Sequence, residues 1–119
     1  MGTDPDVTFG IVEPQAAGPF SDASLSGAYM DGAENPSAST VTLESAAVTP
    51  DGSGNATGTS DQSSSAGLAQ NQPVILTYSI AADGRGTFGS NTTAILVSGN
   101  KLVFISNTSS SPTITVVDK

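Results

Sequence analysis

Asp51, Ser53 and Asn55 place three oxygen-bearing side chains at alternate positions of the run Asp51-Gly52-Ser53-Gly54-Asn55. That is the one-three-five spacing with which an EF-hand loop surrounds calcium. The rest of the loop does not follow, since Ala56 stands where glycine is needed and Gln62 where a bidentate glutamate is needed. Strand-like residues, not helical ones, flank the run. The three residues are therefore a calcium candidate in part only, and oxygen-rich turns of this kind are common in β-proteins. No other metal or cofactor set is expected.

Glu13, Glu34 and Glu44 are the carboxylates that could form a pair for glycoside hydrolysis. None lies among aromatic residues that would bind a sugar or raise a carboxyl pKa, so they read as solvated surface acids. The chain has no His and no Cys, which removes the usual general base, the thiol nucleophile, zinc ligation and the Ser-His triad. Lys101 and Lys119 are the lysines available for an isopeptide crosslink, which would require burial beside a carboxylic acid. One follows a Gly-Asn turn and the other ends the chain, so both are expected at the surface. Asn-x-Ser/Thr sequons occur at Asn55, Asn91 and Asn107 and carry weight only in a host that glycosylates. No catalytic residues are assigned and an enzyme is not expected.

The elements that must position these residues are signalled by turns. Asp83-Gly84-Arg85-Gly86 repeats the Asp-Gly-x-Gly of Asp51–Gly54, and Asp-Gly supplies the positive φ angles of hairpin turns. Between the copies Arg85 replaces Ser53 and Thr87 replaces Asn55. What recurs is the turn, not the oxygen set. The clearest strand is Pro73–Ile80, where Val74, Leu76, Tyr78 and Ile80 share one face. Residues 93–97 and 101–105 flank the turn Ser98-Gly99-Asn100 as a further hairpin, and 113–117 reads as a terminal strand. Residues 40–44 alternate in one register and Ala46 and Val48 in the other, which predicts a bulge near Ser45. The polar run Ser60–Gly67 reads as a mobile loop. Val7–Val12 is strand-like but cut off by Pro14 and Pro19.

A length of 119 residues suits one core. Residues 18–119 are expected to form a single all-β domain, with 1–17 a linker or detached β-strand. No window carries helical periodicity, so neighbours joined by hairpins predict a small antiparallel meander or Greek-key barrel. A two-sheet β-sandwich is the alternative. The core must come from aliphatic residues with Tyr29, Tyr78, Phe88 and Phe104, and a narrow barrel is filled by such side chains.

Eleven acidic residues face three basic ones, for a net charge of −8. A chain with so few cations cannot neutralise phosphates, which argues against nucleic acid, and anionic membrane surfaces are disfavoured for the same reason. No apolar run is long enough to span a bilayer as a helix. Charged residues are only 12%, and Ser, Thr, Gly, Asn and Ala dominate, a balance expected of a secreted or cell-surface protein. The start lacks a basic and apolar leader, so any targeting segment is expected to have been removed or to belong to a longer parent.

The run Gly18-Pro19-Phe20-Ser21-Asp22-Ala23-Ser24-Leu25-Ser26-Gly27-Ala28-Tyr29, followed by the two Asp-Gly-x-Gly hairpins and Ala94-Ile95-Leu96-Val97, resembles a β-rich repeat of uncharacterised secreted proteins from soil bacteria, of acidobacterial type. The resemblance covers residues 18 to 106 and implies a structural module of a multi-repeat surface protein, with no catalytic residues to transfer. The expected function is a non-enzymatic structural or interaction module. The alternatives are a small-molecule-binding β-barrel and a filament subunit joined by strand addition, with Val7–Val12 or Thr113–Val117 donated. Partners, on this view, are copies of the chain or adjacent repeats.

Overall fold

The computed structural model describes residues 12–36, 41–106 and 113–119. Val7–Ile11 and the sequon at Asn107 lie outside the described residues. A 3-10 turn at Asp22–Ser24 precedes eight strands: β1 Tyr29–Pro36, β2 Val41–Pro50, β3 Asn55–Ser64, β4 Gly67–Ile80, β5 Arg85–Phe88, β6 Thr92–Ser98, β7 Lys101–Ser106 and β8 Thr113–Asp118. Each pairs antiparallel with its sequence neighbour, and β8 returns to β1 through Met30↔Asp118 and Asp31↔Val117. The architecture is a closed up-and-down barrel, so the sandwich and Greek-key alternatives fall away. Closure removes the sheet edges that an open meander would expose. No helix among the described residues is long and apolar enough to cross a membrane, which leaves strand-mediated crossing unaddressed.

Alternation assigns the inner face. In β4, Tyr78 and Ile80 are buried while Ile75, one position out of phase, is 83% exposed. Ala94 and Leu96 of β6, Leu102 of β7 and Thr115 and Val117 of β8 continue the interior around the wall. The Tyr78 and Phe88 rings stack at 5.5 Å, and Phe88 meets Phe104 at 4.7 Å. Offset and tilted aromatic pairs of this kind add to their area burial.

Two expectations are corrected. No bulge occurs at Ser45: β2 pairs continuously from Val41 to Val48 with β1, and from Leu43 to Pro50 with β3. The register of Ala46 and Val48 prevails along the strand, so Leu43 turns outward at 52% exposure and Glu44 turns inward. The irregularity sits instead between Ser60 and Gln62, where β4 carries an extra residue and Asn71 has φ 52°. Nor is Ser60–Gly67 a loop. Through Ser64 it continues β3, and only Ser65 and Ala66 form the turn to β4. Its side chains are polar because this hairpin rises past the barrel rim into water, while the ladder satisfies its backbone. Asp61 Oδ1 accepts the Asn71 N–H at 2.7 Å across the bulge.

Both Asp-Gly-x-Gly turns and the Gly99–Asn100 turn lie at one end of the barrel, here the lower end. Gly52 and Gly84 take φ of +77° and +85°, as an Asp-Gly turn requires. The segment Phe20–Tyr29 plugs this end. The Asp22 carboxylate accepts the Ile80 N–H at 2.6 Å, and the Asp22 carbonyl accepts the Tyr78 hydroxyl at 3.2 Å. That hydroxyl in turn accepts the Gly52 N–H at 2.9 Å. Leu25 is fully buried, and the Tyr29 hydroxyl donates to the Gly99 carbonyl. Upstream, Ala16 N–H donates to Val97 O at 2.8 Å, Gln15 donates to Leu96 O at 2.7 Å, and Glu13 pairs with Lys101 at 3.0 Å.

Candidate functional site

The turn at Asp51 does gather the three oxygen-bearing residues, but in hydrogen bonds to one another. Asp51 Oδ1 accepts the Ser53 N–H at 2.7 Å and the Asn55 N–H at 3.0 Å, and Oδ2 accepts the Asn55 side-chain amide at 2.9 Å. These donors hold the exposed Asp51 carboxyl below its ordinary pKa, led by the Asn55 side chain. Asp83 repeats the arrangement with Arg85, whose N–H and guanidinium reach its two oxygens at 3.1 and 2.8 Å. Both sites are Asx turns that lock hairpins. No group of three His, Cys, Asp or Glu is assembled among the described residues.

The other sequence candidates separate. Glu13 is at the lower end with Lys101, and Glu44 faces the lumen, so the two do not form a carboxylate pair. Glu34 is placed in β1 opposite Leu43. Lys119 ends the chain at the lower end, its backbone N–H bonded to Asn100 O at 3.0 Å. Asn91 is exposed between β5 and β6.

What the strands do bring together is a cavity of about 250 Å³ in the lumen, partly open to solvent. Val48, Leu76, Phe88 and Phe104 supply apolar wall, and Asp31 and Glu44 supply carboxyls. The register explains both acids. Asp31 follows Tyr29 by two in β1 and pairs with Ala46, while Glu44 lies one inward position above Ala46 in β2. Glu44 Oε2 accepts the Gln62 side-chain amide at 2.6 Å. Asp31 Oδ1 is buried and has no hydrogen-bond partner among the described residues. Burial first, and the Glu44 charge second, raise the Asp31 carboxyl above its ordinary pKa, against a smaller opposing effect of the Ala46 N–H.

Sequence reasoning missed Asp31 entirely. The available signal was its shared phase with Tyr29, which a strand assignment from residue 29 would have exposed. Glu44 reads as a surface acid because no aromatic residue neighbours it in sequence, whereas its phase with Ala46 and Val48 turns it to the lumen.

A second feature lies outside the barrel. Across β6, β7 and β8, Ile95, Val103 and Val116 form one outward row, and Ile105 and Ile114 continue the next beside Thr93. Ile95, Ile105 and Ile114 are 48%, 43% and 52% exposed. Arg85 and Thr87 of β5 border the patch. No family model, curated protein or solved structure matches the chain.

Proposed function

We propose that this chain is a non-enzymatic interaction module of a secreted or cell-surface protein, using the outer face of β6–β8 to meet a copy of itself or an adjacent repeat. The observation that carries this reading is the contiguous outward patch of Ile95, Val103, Ile105, Ile114 and Val116 on a chain otherwise rich in Ser, Thr and Gly. Apolar surface gathered in one place favours a protein contact, whereas scattered residues need no explanation. Phe20, Asp22, Leu25 and Tyr29, which belong to the run that resembles soil-bacterial repeats, close the lower end. Glu13, Gln15 and Ala16 bond to their own barrel, which favours docking by surfaces over donation of this segment to a neighbour.

Sedimentation velocity across a concentration series tests the reading. With a charge of −8 on each copy, association should strengthen as salt screens repulsion. Ile95→Lys, Ile105→Lys and Ile114→Lys together should abolish it without altering circular dichroism. A chain that stays monomeric at every concentration and salt level removes self-contact as the function.

A second reading, a small-molecule-binding barrel, is favoured by the unfilled cavity in the lumen. Ligand pockets are concave and mostly apolar with a few placed polar groups.

A further inference from the structure

We propose that the lumen takes a small organic monocation, an ammonium on a short apolar body, with its charge against Asp31 and Glu44. This rests on the second reading and adds the ligand's chemical class. A cavity of about 250 Å³ lies below the usual range for drug-sized ligands, about 300–1,000 Å³, so the occupant is small. Its wall is mostly apolar apart from the two carboxyls, and the buried Asp31 Oδ1 has no hydrogen-bond donor among the described residues. A buried acceptor without a partner costs free energy that a ligand N–H can recover.

Among the described residues, none supplies a cation to this place. Arg85 is bonded to Asp83 at the lower turn, Lys101 to Glu13, and Lys119 is anchored beside Asn100. Two carboxyls, one already bonded to Gln62, are too few oxygens for calcium, which takes six to eight. A neutral apolar guest would fill the space and leave Asp31 unpaired. An ammonium pairs the acid, and the Phe88 and Phe104 rings of the same wall can face its charge or its hydrocarbon.

The test is a titration followed by amide and methyl NMR, using 2-phenylethylammonium and its neutral counterpart 2-phenylethanol, each on the wild type and on Asp31→Asn with Glu44→Gln. The ammonium should shift Val48, Leu76 and Val117 resonances and bind about tenfold more tightly than the alcohol, a difference near 1.4 kcal/mol. The double variant should erase that preference while keeping its dispersed spectrum. Wild-type binding of the ammonium should weaken as Asp31 protonates on acidification. Equal lumenal binding of both probes would leave the ligand-barrel reading standing and overturn the monocation. Absence of lumenal shifts with either probe would overturn both. Shifts confined to exterior carboxylates would show only diffuse attraction to an acidic protein and would also count against the site.

Discussion

Leu25→Ala is the substitution that best isolates the role of the plug. Leu25 has no exposed surface, yet it precedes the first strand and lines the floor of the lumenal cavity. Truncation removes three carbons from a fully buried side chain, and at about 0.8 kcal/mol for each buried methylene the transfer loss is about 2.4 kcal/mol. The new space joins an existing cavity, so little collapse can offset it, and buried Leu→Ala changes typically cost about 2–5 kcal/mol. An expected loss of about 3 kcal/mol is a large share of a stability that, for this length, falls near 6–18 kcal/mol. Urea denaturation followed by circular dichroism and Tyr fluorescence measures it. Ile75→Ala, at a residue 83% exposed, is the control and should stay within about 0.5 kcal/mol. If Leu25→Ala matched that control, residues 20–29 would be an appended linker and the lower end would be closed by something else.

How far the sequence revealed this follows from the same physics. Pro73–Ile80, the hairpin at Ser98–Asn100 and both Asp-Gly turns were legible because each carries its own local signal, alternation or a positive-φ glycine. The rim hairpin was not, since Ser60–Ser64 has no apolar face to betray a strand whose partners alone hold it in register. Asp31 was hidden for a related reason. A carboxyl is assigned to water by default, and only the pairing of β1 with both β2 and β8 carries this one inside. Glu44 became lumenal once Ala46 and Val48 fixed the phase of β2, a competition between two alternating runs that local reading settled with a bulge.

Two further substitutions follow. Gly58 packs so tightly on β2 that an added Cβ would lie 2.8 Å from Val48 Cα, backbone that cannot swing aside. Gly58→Ala should therefore cost at least about 2 kcal/mol in urea melts, and a neutral result would contradict the β2–β3 register. Asp31 supplies the pH dependence. Its carboxyl is raised in the fold, so its contribution is fully present below the ordinary Asp pKa and is lost as pH rises through the raised value. Relative to Asp31→Asn, the wild type should lose stability on going from acid toward neutral pH, and the variant should be the more stable at pH 7. A difference that is flat with pH would place Asp31 in water, and one of opposite sign would mean that the fold stabilises its charged form; either contradicts the buried carboxyl.

The barrel and both lumenal readings above depend on β8 closing against β1, because that contact turns a sheet with two edges into a wall around Asp31. The most direct measurement is the set of cross-strand NOEs between Met30 and Asp118 and between Asp31 and Val117, with amide exchange across both strands. A closed barrel predicts those NOEs together with slow exchange at the junction. NOEs from β1 to β2 and from β8 to β7 alone, with rapid exchange along the outer sides of β1 and β8, would contradict it.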